Sequence, residues 1–146
     1  MPPNYTADMD LTADGINQLH RGTWAGELGL TLVTATRDEV VATIPLTSKH
    51  RQPAGIVHGG VYASIVETVA SCGAAIDALA HGKTVVGLDN QTSFIRATRE
   101  GTLTATGTPV TRGRRTQLWD VVIRDDKHQI IATGRVRLLV VEPATI

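Results

Sequence analysis

A single cysteine among 146 residues, Cys72, rules out an internal disulfide and cannot build a multi-cysteine metal centre. One thiol suits a reducing cytoplasm, the compartment expected here. Charge of one sign is also missing: 14 basic residues cancel 14 acidic ones, so no overall field favours nucleic acid or an anionic membrane. Any anion site must therefore be local. The opening MPPNYTADMD has no basic stretch followed by an apolar run, so it does not read as a secretory signal but as a loose leader. No H-E-x-x-H occurs, and His20, His50, His81 and His128 lack the neighbours of a metal ligand set. No metal is expected. There is also no internal repeat, low-complexity tract or linker to justify a second domain.

What is present is 42% hydrophobic sequence, enough for one core. Leu11 to Arg21 reads as a short helix with Thr12 as its cap. Leu28 to Thr36 and Val40 to Leu46 are rich in β-branched residues, and Arg37-Asp38-Glu39 between them reads as a hairpin turn. From His58 to about His81 the period changes: Val61, Ile65, Val69, Cys72 and Ile76 recur at helical spacing. A helix of that length runs about 36 Å, enough to cross a bilayer. Glu67, Asp77 and several hydroxyls within it argue instead for a buried core helix, as does the strand-like sequence on both sides. Strand patterns resume at Thr84 to Phe94, Thr102 to Val110, Gln117 to Arg124 and Gln129 to Val141.

The expectation is an α+β fold with an antiparallel sheet of five to six strands wrapped around one long central helix. Residues 1–27 would form the leader and short helix, and 28–146 the single domain.

Chemistry gathers at the start of that helix. Gln52-Pro53-Ala54-Gly55-Ile56-Val57-His58-Gly59-Gly60 delivers glycine backbone to a helix N-terminus, where unpaired amides and the peptide dipoles favour negative charge. An oxyanion could be held at Gly59 or Gly60, although such a motif is often only a turn. Ser64, Glu67 and Ser71 lie three and four residues apart and form a polar stripe on an apolar cylinder. A carboxylate there needs a partner or a task. His58 reads as a substrate contact or a turn anchor, Gln52 as an orienting amide or an ordinary loop residue. Ser64, Ser71 and Cys72 have no adjacent histidine to activate a nucleophile. Arg112-Gly113-Arg114-Arg115-Thr116 is an arginine-rich turn that suits phosphate, or a solvated hairpin tip.

Taken together, Gln52, His58-Gly59-Gly60, Glu67 and Ser71 resemble the active-site pattern of hotdog-fold acyl-CoA thioesterases of the phenylacetate-pathway and 4-hydroxybenzoyl-CoA (Arthrobacter-type) group. Lys83-Thr84-Val85-Val86-Gly87-Leu88 and Gln117-Leu118-Trp119 look like the bacterial 1,4-dihydroxy-2-naphthoyl-CoA thioesterases in particular. The resemblance covers nearly all of the chain after the leader. It implies an acyl-CoA substrate, of which coenzyme A is part, and no separate cofactor. It makes Glu67 the nucleophile or general base and the Gly59 amide the oxyanion donor, with His58, Gln52 and Ser71 in support.

It also implies substrate contacts from Gly60 and Gly87, and coenzyme A contacts from Phe94-Ile95-Arg96-Ala97 and from Thr111 to Thr116, across the boundary of a homodimer or homotetramer. Phe94, where the naphthoyl-type enzymes carry a histidine, and Tyr62 depart from the pattern and bear on acyl preference, aromatic or medium-chain. Two other readings are a catalytically silent acyl-CoA-binding module and a hotdog enoyl hydratase or dehydratase. The complete Gln-His-Gly-Glu-Ser set argues against the first. For the second, the Asp-x-Asn-x-x-His run of a hydratase is missing.

Overall fold

A computed structural model describes residues 8–143, so most of the proposed leader lies outside the described residues. Two short helices, α1 (Ala13–Leu19) and α2 (Trp24–Glu27), precede the hairpin of β1 (Thr31–Ala35) and β2 (Val40–Pro45). A 3₁₀ turn at Ser48–His50 leads to the long helix α3 (Gly59–Leu79). Four strands follow: β3 (Thr84–Phe94), β4 (Thr102–Arg112), β5 (Thr116–Arg124) and β6 (Ile130–Val141). All pair antiparallel in one sheet of order β1-β2-β4-β5-β6-β3. The expected sheet on a helix is therefore found, with six strands.

Alternation puts one row of each strand under α3. Val40, Ala42 and Ile44 of β2, Leu103 and Ala105 of β4, Trp119, Val121 and Ile123 of β5, and Val136 and Leu138 of β6 are all buried. They meet Ile65, Val66, Val69, Ala70 and Ala74 of α3 in one cluster. Burying each large side chain stabilises the fold by roughly 1.5–3 kcal/mol. The small residues on α3 let the sheet approach closely, which accounts for a helix apolar enough to span a membrane yet covered by strands.

Two expectations at the N-terminal end change. The helix expected over Leu11 to Arg21 is only Ala13–Leu19, capped by Thr12, whose side chain accepts from the Gly15 amide. The strand expected from Leu28 begins at Thr31, because Leu28 and Leu30 are buried in the chain leaving α2 instead of pairing in the sheet. Ile16, Leu28 and Leu30 join the central cluster, so these helices share the same core. His50 is buried, with Nδ1 accepting from the Thr47 amide and Nε2 2.8 Å from the Leu28 carbonyl, and pins this region together.

The sheet has two free edges of different kinds. β1 is five residues long, whereas β3 is eleven and pairs on one side only, with β6. Leu88 and Phe94 on β3, and Ile95 just beyond it, are each more than half exposed. A long edge with apolar side chains is a template for another strand.

Candidate active site

Glu67 lies on the third turn of α3, half-buried against β3. Two β3 residues hold it. Asn90 Nδ2 donates to Glu67 Oε2 at 3.1 Å and to the Ala63 carbonyl at 3.0 Å, while Thr92 Oγ1 donates to Asn90 Oδ1 at 2.6 Å. Gly87 faces the other carboxylate oxygen so closely that a Cβ there would stand 2.7 Å from Oε1. A side chain there would push the carboxylate out of this position.

Residues 87 and 90 are separated by an odd number and would face opposite sides of a regular strand. A bulge corrects this. Gly87 pairs with Leu138 and Asp89 with Arg137, leaving Leu88 as the extra residue, which turns outward. The bulge thereby aims both Gly87 and Asn90 at Glu67. Asn90 is the site residue that sequence reasoning missed, since its contact crosses 23 positions and depends on this bulge.

The expected serine stripe divides. Ser71 Oγ reaches Glu67 Oε1 at 3.5 Å, a long contact, so Oε1 remains largely free. Ser64 turns away: its hydroxyl donates to the Gly60 carbonyl at 2.8 Å and accepts from Trp24 Nε1 at 2.9 Å. Beside Glu67 opens a mainly apolar cavity of about 370 Å³, covered on one side by α1 and α2 and lined on α3 by Thr68, Ser71, Cys72 and Ile76. Cys72 stands at this wall, packed against the core's edge, with its thiol pushed up to about 12 by burial.

At the start of α3 the amides can be followed one by one. His58 caps the helix, its Nδ1 accepting from Gly60 N at 2.8 Å, and the His58 carbonyl accepts from Val61 N at 2.9 Å. Of the two glycines expected to hold an oxyanion, Gly60 is thus taken, and the Gly59 amide makes no hydrogen bond among the described residues. His58 also acquires a defined tautomer. With Nδ1 accepting, a neutral ring carries its proton on Nε2, an exposed donor.

Gln52 lies in the loop before this cap, its Oε1 accepting from Ala54 N at 2.5 Å and its carbonyl from Gly55 N at 2.8 Å. Gln52, Gly59 and Tyr62 line a groove of about 300 Å³ with Phe94, Ile95, Arg96 and Ala97. The rings of Tyr62 and Phe94 lie 5.8 Å apart, and Phe94 sits directly over the Cα of Gly59. Both departures from the family pattern therefore wall this groove.

The remaining arginine turn is elsewhere. Thr111 and Arg112 end β4, Thr116 begins β5, and Gly113, Arg114 and Arg115 form the tip, closed by Gly113 N donating to the Thr116 carbonyl at 2.8 Å. Arg112 is engaged at the far end of α3: its Nη1 donates to the Arg37 carbonyl at 2.7 Å, pairs with Asp38 at 2.9 Å and lies 3.9 Å from Asp77. Arg114 and Arg115 are exposed. Gly59 and Asp77 are 18 residues apart in one helix, so the two arginine-bearing stretches stand about 27 Å from each other along its axis. Within one chain Glu67 is grouped with Ser71 and Gly87, while Gln52 and Gly59 are grouped with the Phe94 to Ala97 stretch. About 12 Å of helix separates Glu67 from Gly59.

A six-stranded antiparallel sheet rolled on one long helix, with an acid on the helix and an unpaired amide at its start, is the hotdog fold in its thioesterase form. The chain belongs to the thioesterase superfamily, whose family model matches residues 54–132, and it is a thioester hydrolase. It is similar to the proofreading thioesterase EntH of Cronobacter sakazakii, with 30% identity over 125 residues spanning 86% of this chain and 90% of that protein. Among solved structures, thioesterase HI1161 from Haemophilus influenzae shares 33% identity and superposes with a TM-score of 0.86 over 98% of this chain and 96% of that one. AziG of S. sahachiroi shares 37% identity, with a TM-score of 0.80 over 83% of this chain and 98% of that one.

Proposed function

We propose that the protein hydrolyses an acyl-CoA thioester to the free acid and coenzyme A, with Glu67 as its reacting carboxylate and the Gly59 amide as its oxyanion donor. The observation that carries this reading is the pairing of one underused carboxylate oxygen, Oε1, with an apolar cavity beside it. Oε1 either takes a proton from water as the water oxygen adds to the thioester carbon, or adds to that carbon itself to give an anhydride that water then opens. In both routes the carbonyl electron pair moves onto oxygen, where the Gly59 N–H and the helix dipole meet it. Collapse breaks the carbon–sulfur bond, and the departing thiolate recovers a proton. The exposed Nε2–H of His58 stands near enough to Gly59 in sequence to serve that oxygen or sulfur.

The separation of Glu67 from Gly59 asks for a second subunit. β3 runs antiparallel to α3, so its Phe94 end lies at Gly59 and its Gly87 at Glu67. Antiparallel pairing of this edge with its own copy sets the Phe94 end of one chain against the Thr84 end of the other. That carries Gly59, Gln52 and Arg96 toward Glu67 of the partner subunit, where Arg114 of the partner subunit and Arg115 of the partner subunit, at the Thr84 end of that sheet, serve as phosphate ligands. We read the working unit as a homodimer or a homotetramer of such dimers. The acyl group fits the aromatic or medium-chain range, in the subgroup that includes the 4-hydroxybenzoyl-CoA and 1,4-dihydroxy-2-naphthoyl-CoA enzymes. Coenzyme A enters as part of the substrate, no separate cofactor takes part, and the setting is the cytoplasm.

Thiol release from a panel of acyl-CoAs tests the reaction, and mixed subunits test the shared site. Glu67→Ala and Gly59→Val chains, each inactive alone, should regain part of the parent rate when refolded together. Silence of the parent on the whole panel would refute hydrolysis, and silence of the mixture would refute the shared site.

A further inference from the structure

β1 is an edge of the sheet by topology, but its backbone is not free. Asn17, on α1, lays its side-chain amide against Leu32: Nδ2 donates to the Leu32 carbonyl at 2.9 Å, and Oδ1 accepts from the Leu32 amide at 2.8 Å. A primary amide carries a donor and an acceptor side by side, the same pair that a residue of a neighbouring strand offers. Leu32 stands opposite Ala42 of β2 with its side chain buried, so the groups that Asn17 takes lie in the sheet plane and point away from β2. With one side chain, Asn17 fills the place of a further strand.

Two other features bear on the same edge. β1 has five residues, and its pairing with β2 slips between Leu32 and Thr34, leaving Val33 as a bulged residue that is 60% exposed. A bulge bends the edge and makes it a poorer template. Asn17 is held in place from behind, because Thr12 caps α1 and the neighbouring Ile16 is buried in the core. β3, the opposite edge, is paired with β6 alone, and among the described residues no side chain hydrogen-bonds to its backbone.

The number of open edges decides what a sheet builds. With both open, β1 of one copy would accept β3 of the next, a head-to-tail contact that repeats without closing and grows into ribbons. With β3 alone open, the self-complementary contact is β3 on β3 about a twofold axis, and it closes at two copies. We infer that Asn17 shuts the β1 edge against a second copy of this chain, and that without Asn17 this edge is an interaction surface for β3 of another copy. The inference rests on the sheet and not on the acyl-CoA reading; it takes from the proposal above only that β3 pairs.

The test is the mass in solution, measured by light scattering after gel filtration over a range of protein concentrations, for the parent, for Asn17→Ala and for Asn17→Ala combined with Val33→Lys. The parent should keep one mass throughout. Asn17→Ala should form species of about twice the parent mass or more that grow with concentration. Val33→Lys, which sets a charge on the uncovered edge at an exposed position, should return them to the parent mass. An Asn17→Ala chain with the parent mass at every concentration overturns the inference. So does growth that Val33→Lys leaves in place, since a general loss of α1 packing would aggregate whatever the charge on β1. Should Asn17→Ala not fold, Asn17→Gln, whose extra methylene carries the amide past Leu32, takes its place with the same outcomes. A parent of one chain at every concentration sinks the β3 pairing proposed above, while the difference between parent and Asn17→Ala still decides the role of Asn17.

Discussion

Helix α3 carries two acids, and they are treated in opposite ways. Asp77, near its end, is buried and charge-paired: Gln117 Nε2 donates to Oδ2 at 3.0 Å, and Gln117 Oε1 in turn accepts from Trp119 Nε1 at 2.9 Å. Arg37 Nη2 stands 2.9 Å from Oδ1, close enough to pair charges although off-line for a hydrogen bond. Glu67, ten residues earlier, has one firm donor in Asn90, a long contact to Ser71 and an open cavity beside it. The difference teaches that two acids on one apolar helix can be held in quite different ways. What separates them is that Arg37 neutralises Asp77 at Oδ1, whereas Glu67 pairs with no cation among the described residues and its Oε1 faces a cavity.

The contrast can be broken at several points. The largest effect short of the acid itself is expected at Gly59→Val, which places a branched side chain against Phe94 and across the free amide; loss of an oxyanion donor costs ~10²–10³ in kcat, read by thiol release. Next comes Asn90→Ala. It frees Glu67 to swing, so kcat should fall about tenfold to a hundredfold, the kinetic equivalent of losing a positioning hydrogen bond to a charged group at ~1.5–3 kcal/mol.

Asp77→Ala should do the reverse. It orphans Gln117 and leaves Arg37 unpaired, but Arg37 is half exposed and screened, so the cost is ~2 kcal/mol, or about 5 °C of Tm by calorimetry, with kcat/KM of the folded protein kept.

The smallest effect concerns pH. Because burial lowers the His20 pKa in the folded protein, the unfolded chain takes up its proton first as pH falls below about 6.5. Stability should therefore be full above that value and decline below it. His20→Gln should flatten this part of a Tm–pH curve, and an unchanged slope would show that the ring is not desolvated.

Much of this was legible in the residues alone. The helical period through Val61, Ile65, Val69 and Ile76 and the four strand patterns after Gly82 led directly to a sheet on a helix, because period and burial are local properties. Glu67 stood out for the same reason, as an acid on an apolar cylinder. Its partner Asn90 did not, since that contact depends on strand register and on one bulged residue, Leu88. Nor did the pairing of Asp77, whose partners Arg37 and Gln117 lie 40 positions away on either side. Helix α2 has four residues, too few for any periodicity, and with it the cavity over Thr68, Ser71 and Cys72 was invisible. Arg112, grouped by sequence with a phosphate-binding turn, is drawn into the Asp38 and Asp77 cluster by the geometry of the β4 end.

The most direct measurement is steady-state thiol release by Glu67→Gln, with Tm recorded on the same preparation. The substitution keeps the size of the side chain and its contact with Asn90 while removing the charge. The account predicts a fall in kcat/KM of about 10³-fold or more at an essentially unchanged Tm. A Glu67→Gln enzyme that releases coenzyme A at the parent rate would contradict it.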